Sequence, residues 1–131
     1  MGKINSFMFG RTMRNPEKAW NITVARGIVV ERSDGYCEIC RKPGTDFQHR
    51  RARSAGGSKA SDTNSPANLI LLCRPCHHDI ENVNRQRAYD MGWALKQGTD
   101  PLTEPVFLLG DWVLIDNIGA YLPYPRDYVE G

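Results

Sequence analysis

The chain has no long apolar segment and no secretory leader. No apolar run approaches the roughly 18 residues that a membrane-spanning helix needs. Residues Met1 to Arg14 lack the basic, apolar and small-residue regions of a signal peptide. The sequence therefore predicts a cytoplasmic protein with no membrane span.

Cysteine is scarce but regularly spaced. The four cysteines form two pairs, Cys37/Cys40 and Cys73/Cys76, each with two intervening residues. That spacing lets both thiolates of a pair reach one cation at about 2.3 Å, and two pairs complete the four-thiolate shell of a structural zinc. In a reducing compartment such pairs are more often metal ligands than disulfides. A redox pair, the other alternative that stays open here, leaves the second pair unexplained.

Acidic and basic residues are unevenly distributed. The chain has 131 residues and a formal net charge of +2, which predicts one domain with a modest core. Residues 41–76 carry seven basic and two acidic residues, whereas residues 98–131 carry one basic and six acidic residues. Basic charge around the cysteines favours a nucleic-acid partner, because phosphate contacts supply most non-specific affinity. Ordinary solvated surface is the alternative.

The apolar pattern predicts one helix before the cysteines and two strands between them. Trp20, Val24 and Ile28, together with Val29 and Val30, recur at near-helical spacing and predict a helix over residues 20–31, with a strand as the alternative because of the β-branched run. Between the cysteine pairs we predict a strand at 46–50, a loop at 51–67 and a buried strand at 68–72.

After the second cysteine pair the pattern predicts a helix and further strands. Pro75 suits a first helical turn, and Gly92 suits the end of the helix. The residues expected on one face of this helix are Ile80, Val83, Arg87 and Met91. A strand at 93–95 and a hairpin with strands at 106–109 and 112–115 should follow.

The order of these motifs resembles the HNH endonuclease family. A cysteine pair precedes a strand that contains His49, then come a loop with two adjacent glycines, Asn68 at a second strand, the second cysteine pair, and His77 at a helix. The resemblance covers residues 34–91 and is greatest to small HNH proteins of tailed bacteriophages, including those of thermophilic phages. It implies an α+β fold, in which a ββα-metal finger is stapled by a four-cysteine zinc site and flanked by an N-terminal helix and a C-terminal β-hairpin.

We expect a single domain, residues 1–131, in three parts. A basic leader covers residues 1–19, the zinc-clamped core covers residues 34–91, and an acidic, β-rich extension covers residues 92–131.

The resemblance implies a metal-dependent DNA endonuclease. Phosphodiester hydrolysis needs a base for water, a cation for the developing charge and positive groups to hold the strand. His49 is implied as the base that activates water, and an imidazole is mostly neutral at cytosolic pH. Asn68 is implied to hold the loop around that base. His77 belongs to the catalytic motif and is implied to bind Mg²⁺ or Mn²⁺.

Two further residues are predicted ligands of the catalytic ion. Gln48 occupies the position before the base, where the family usually has Asp or His, and an amide oxygen is a weaker ligand than a carboxylate. Glu81 follows His77 by four residues and therefore faces the same way on a helix. A solvated helical glutamate is the alternative for Glu81.

DNA is the predicted partner, together with phage packaging proteins such as terminase and portal, and no small-molecule cofactor is expected. The residues predicted to contact DNA are Arg50, Arg51, Arg53, Lys59, Arg74 and His78. The alternative function is a non-catalytic, zinc-stabilised nucleic-acid-binding module, a degenerate finger in which Gln48 marks lost metal affinity.

Overall fold

The computed structural model describes residues 19–53 and 60–125. Its helices and strands are α1 (Ile22–Ser33), β1 (Asp46–His49), β2 (Leu69–Leu72), α2 (Arg74–His78), α3 (Arg85–Asp90), β3 (Val106–Leu108), β4 (Asp111–Ile115) and β5 (Tyr121–Pro123). A 3₁₀ turn, Pro66–Asn68, precedes β2, and a π-helical turn, Asp79–Val83, joins α2 to α3. Two small antiparallel sheets, β1-β2 and β3-β4-β5, combine with these helices and confirm the α+β class.

Strand β2 lies at the centre of the fold. All four of its side chains are buried, because apolar clusters cover both faces of the strand. Leu69 and Leu71 pack in a cluster with α1, whereas Ile70 and Leu72 pack in a larger cluster with α3 and the second sheet. Strand β1 pairs with β2 so that Gln48 lies opposite Ile70 and is directed to the second of these two faces.

The predicted first helix is confirmed. The Asn21 side chain caps α1 by accepting from the backbone N–H groups of Thr23 and Val24. Ala25, Val29 and Arg32 are buried, while Val24 is 55% exposed. The inward face of α1 thus combines apolar side chains with Arg32, which forms a buried ion pair.

That ion pair joins four parts of the chain. The Arg32 guanidinium donates to both oxygens of Glu38 at 2.8 Å, and both side chains are fully buried. Glu38 also accepts from the Leu71 N–H of β2 at 2.8 Å and from the Tyr121 hydroxyl of β5 at 2.6 Å. Burial, and then the negative charge of Glu38, raise the pKa of Tyr121. The network thereby fixes the first cysteine pair, which flanks Glu38, against α1 and both sheets.

The helix predicted after Pro75 is interrupted. After the π-helical turn the chain leaves helical geometry at Asn84, with φ −136° and ψ 74°, and Asn84 caps a separate helix, α3. Val83 is 67% exposed, and Ala88, rather than Arg87, is buried. The predicted face is therefore wrong at Val83 and Arg87, whereas Ile80 is buried and Met91 packs against the core.

The predicted hairpin is confirmed, with a further strand beside it. Strands β3 and β4 are joined by Leu109 and Gly110, both with positive φ, as a tight hairpin turn requires. The third strand, β5, was not predicted. The strand predicted at 93–95 is absent from the described residues, since Leu95 makes only an isolated parallel bridge with Arg51.

Candidate metal centre and nucleic-acid interface

The two cysteine pairs meet at one point. The four sulfur atoms all lie within 4.8 Å of one another, and Cys40 Sγ and Cys73 Sγ are 3.5 Å apart. Sulfurs bound to one zinc at about 2.3 Å in a tetrahedron lie about 3.8 Å apart, so the arrangement fits that ion. The cysteines are thus positioned to bind a structural metal such as zinc.

Backbone N–H groups are directed at one cysteine sulfur, whereas burial opposes the ionisation of another. The N–H groups of Ile39 and Cys40 point at Cys37 Sγ, each at 3.5 Å. Burial, followed by the neighbouring Cys73, raises the pKa of the Cys76 thiol. Four thiolates this close need a cation to offset their charge, which agrees with a metal site.

An open cleft lies beside α2. It encloses about 310 Å³ and brings together His49 and Gln48 from β1, His77 from α2 and Glu81 from the π-helical turn. The other lining residues are Phe47, Arg50, Ala52, Arg53, Arg85, Tyr89, Ala94 and Leu95. The structure therefore places the predicted base and all three predicted ligands of the catalytic ion around one cavity.

His77 is held between two carboxylates. Its Nδ1 lies 2.9 Å from Asp46 Oδ2, and its Nε2 lies 3.3 Å from Glu81 Oε2. The hydrogen bond to His77, followed by that to Thr45, lowers the pKa of Asp46 to about 2. An ionised Asp46 can accept a hydrogen bond from Nδ1–H and so orient the ring with Nε2 beside Glu81.

Sequence reasoning missed Asp46. The signal was present, because Asp46 lies two residues before Gln48 and strand alternation places both on one face of β1. Its pairing with His77 becomes visible only when α2 is placed beside β1.

Gln48 is 6% exposed and faces the cleft. Its side-chain amide makes no hydrogen bond to any residue in the described ranges, so its oxygen is available as a ligand. Within those ranges the cysteines are the sole group of three or more His, Cys, Asp or Glu ligands gathered within 4.8 Å. The cleft thus offers an imidazole, a carboxylate and an amide in an open arrangement.

His49 lies on the opposite face of β1 from Gln48, and its Nε2 lies 2.8 Å from Asn64 Oδ1. Burial lowers the pKa of His49; the hydrogen bond with Asn64 acts in the opposite direction, and the charges of Arg53 and Arg26 lower it further. The imidazole is consequently neutral at neutral pH and able to accept a proton.

Asn68 is fully buried and connects the two sides of the loop. Its Oδ1 accepts from the Arg51 N–H at 2.8 Å, and its Nδ2 donates to the carbonyls of Arg51 and Thr63 at 3.0 and 2.8 Å. These three bonds join the residues after His49 to the turn that precedes β2.

Arg50 does not face solvent, which corrects its prediction as a DNA contact. The side chain is 1% exposed, and its guanidinium donates to the carbonyls of Ala67, Gly92, Pro101 and Glu104 at 2.9 to 3.0 Å. Burial lowers the pKa of Arg50 to about 9, so the group stays charged at neutral pH. Arg50 is a buried cross-link between β1 and the segment after α3.

The other predicted DNA contacts differ in accessibility. Arg51 is also buried and bonds to Asp62 and the Thr99 carbonyl, which corrects its prediction as a DNA contact. Arg53, Arg74 and His78 are exposed, and Arg74 pairs with Asp46 at 3.3 Å. Lys59 lies outside the described residues.

Two exposed cations near the cleft were missed by sequence reasoning. Arg85 lines the cleft and lies over the Tyr89 ring at 5.3 Å. Arg26 of α1 lies over the Phe47 ring at 5.3 Å, close enough to lower the pKa of His49. Neither residue belongs to the motif between the cysteine pairs, so spacing rules could not identify them.

A family model for HNH endonucleases matches residues 37–82 of the chain. The matched range holds both cysteine pairs, His49, Asn68, His77 and Glu81. This match indicates a nuclease or nucleic-acid-binding function. No curated protein and no solved structure matches the chain. No helix within residues 19–53 and 60–125 is long and apolar enough to cross a membrane.

Proposed function

We propose that the protein is a metal-dependent DNA endonuclease that hydrolyses phosphodiester bonds. The observation that carries the proposal is the cleft itself, where a neutral His49 lies with His77, Glu81 and Gln48 beside exposed arginines. A DNA-binding surface alone does not require an imidazole base next to a set of cation ligands.

His49 is proposed to remove a proton from the attacking water. A neutral imidazole in a half-buried site can accept that proton directly, because one of its ring nitrogens is already unprotonated. The displaced 3′ or 5′ oxygen then leaves as the new bond from water oxygen to phosphorus forms.

His77, Glu81 and Gln48 are proposed to hold one Mg²⁺ or Mn²⁺ in the cleft. When bound, such an ion stabilises the negative charge that develops on the phosphate. Asp46 orients the His77 ring so that Nε2 faces the ligand position. The donor set fits a hard cation that keeps several waters and completes its shell with a phosphate oxygen.

The cysteine site is proposed to hold a structural zinc. Four thiolates leave no open position for water, so this site does not supply the nucleophile. It serves the cleft indirectly, because Cys76 and His77 are neighbours on α2.

Arg53, Arg26 and Arg85 are proposed to contact the DNA backbone in place of Arg50 and Arg51. All three are exposed, and each lies near the cleft or near His49. Cations at such positions supply phosphate contacts that hold the strand in register.

The second candidate is a zinc-stabilised module that binds nucleic acid without cutting it. One observation favours it, since Gln48 stands where a stronger ligand would be expected. Incubation of purified protein with supercoiled plasmid in Mg²⁺ or Mn²⁺ distinguishes the two functions, because an endonuclease produces nicked or linear DNA. His49→Ala should reduce that rate by roughly 10² to 10⁴, with DNA affinity retained. Binding without cleavage by the wild-type protein, in either metal, would establish the module instead.

Bacteriophage origin, a thermophilic source, cytoplasmic location and the packaging partners remain predictions that rest on the sequence. So does the division of residues 1–131 into leader, core and extension.

A further inference from the structure

Asn64 contacts the proposed base directly. Its Oδ1 lies 2.8 Å from His49 Nε2, which is hydrogen-bonding distance. Asn64 belongs to the turn before the 3₁₀ segment and lies fifteen positions from His49 in sequence. Neither the cysteine spacing nor the order of the motif residues points to it.

The turn that carries Asn64 is itself anchored. The Thr63 carbonyl accepts from Asn68 Nδ2 at 2.8 Å, and the Ser65 N–H donates to the Asp62 carbonyl at 3.1 Å. Asp62 is in turn paired with the buried Arg51. The backbone on both sides of Asn64 is thus held, so its side chain is presented to His49 in one place.

We infer that Asn64 is a positioning residue for His49. An amide oxygen accepts hydrogen bonds and cannot donate them, so an oxygen opposite Nε2 places the imidazole proton on Nε2. Nδ1 then carries the lone pair that accepts the proton from water. This inference rests on the proposed endonuclease function. Asn68 then acts on His49 indirectly, because it holds the Thr63 carbonyl and so fixes the adjacent Asn64, which orients the imidazole.

Three substitutions test the assignment through cleavage kinetics. Asn64→Leu keeps the size of the side chain and removes the acceptor, and should lower kcat by roughly 10- to 100-fold with KM unchanged, as orienting partners of histidines do. Asn64→Asp keeps an acceptor oxygen and should retain most of the activity. Asn117→Leu is the control, because Asn117 accepts from the Ala67 N–H and supports the adjacent 3₁₀ turn, with no contact to His49 among its hydrogen bonds. A loss in Asn117→Leu equal to that in Asn64→Leu would overturn the positioning role.

A double-mutant comparison asks whether the effect passes through His49. In a His49→Ala background, Asn64→Leu should cause no further loss of kcat, because the group that it orients is gone. Additive losses would show that Asn64 acts elsewhere.

The nitrogen resonances of His49 supply a readout that needs no activity. In ¹⁵N-labelled wild-type protein at alkaline pH, Nε2 should carry a slowly exchanging proton and Nδ1 should be unprotonated, and Asn64→Leu should lose the protected proton. A proton on Nδ1 in the wild-type protein would refute the inference even if cleavage is efficient. A wild-type protein that shows the expected resonances but does not cut DNA would instead refute the proposed function alone.

Discussion

The two candidate metal sites both include residues of α2 and differ in how complete they are. At the first, four sulfur atoms lie within 4.8 Å of one another, with backbone N–H groups directed at Cys37. At the second, His77 and Glu81 lie 3.3 Å apart in an open cleft that Gln48 also lines. Adjacent residues of one short helix, Cys76 and His77, therefore serve sites of opposite character.

We expect the closed site to contribute to the stability of the fold and the open site to the cleavage reaction. A site closed by four thiolates gives its binding energy to the fold and excludes water. An open site binds its ion weakly and leaves positions for water and phosphate. Because β1 is held by its pairing with β2 and α2 carries one of the four clustered cysteines, the open site can remain incomplete without loss of shape.

The largest expected effect is the difference in stability between substitutions at two adjacent residues of α2, Cys76 and His77. Cys76→Ser should largely unfold the protein, since apparent zinc binding contributes on the order of 10 kcal/mol in small zinc modules. His77→Ala should keep the zinc and the melting temperature while it slows cleavage. Elemental analysis and thermal melts of both variants check this. A Cys76→Ser protein that lacks metal yet melts like the wild type would abolish the distinction.

A second pair of variants separates a buried arginine from an exposed one. Arg50→Met should destabilise the fold by about 3–5 kcal/mol, because it leaves four buried carbonyls without their charged donor. Arg53→Met should leave stability unchanged. It should reduce the slope of log affinity against log salt concentration by about 1, which corresponds to one phosphate contact. Urea titrations and binding isotherms at several salt concentrations measure the two effects.

Arg87→Met is the matched control for the arginine variants, since Arg87 is exposed but lies over the Trp93 ring rather than in the cleft. Equal loss of DNA affinity in Arg87→Met and Arg53→Met would mean that the cleft is not where DNA binds.

A smaller effect is expected from the carboxylate that orients His77. Asp46→Asn should weaken the affinity of the catalytic ion by roughly 10- to 100-fold, as loss of a histidine's orienting partner does. Saturating Mn²⁺ should recover most of the rate. A rate that stays low at saturation would assign Asp46 to a catalytic step rather than to ligand orientation.

The smallest effect is a gain. Gln48→Asp adds a charged oxygen where the amide faces the cleft, and should lower the Mg²⁺ or Mn²⁺ concentration at half-maximal rate on the order of tenfold. Metal titrations of cleavage measure it. An unchanged midpoint would remove Gln48 from the set of ligands.

The closed site was readable from the sequence because its information is local. Two cysteines separated by two residues can share a cation wherever the rest of the chain goes, so Cys37 and Cys73 needed no tertiary knowledge. His49 and His77 were found through their order relative to those cysteines.

What the sequence did not reveal depends on distant partners. Arg50 is buried because carbonyls from Pro101 and Glu104, 51 and 54 residues away, converge on it. The π-helical turn and the non-helical Asn84 separate α2 from α3, so no single helical period runs through both. Asp46 and Asn64 acquire their roles only once β1, α2 and the turn before β2 are assembled.

The metal requirement of the zinc-loaded protein tests the two-site arrangement most directly. Protein with one zinc per chain, stripped of loosely bound ions by a mild chelator, should leave supercoiled plasmid intact and should cut it when Mg²⁺ or Mn²⁺ is added. Zinc content measured in the same samples should not change. Full-rate cleavage by the stripped, zinc-loaded protein with no added ion would contradict the division between a closed structural site and an open catalytic one.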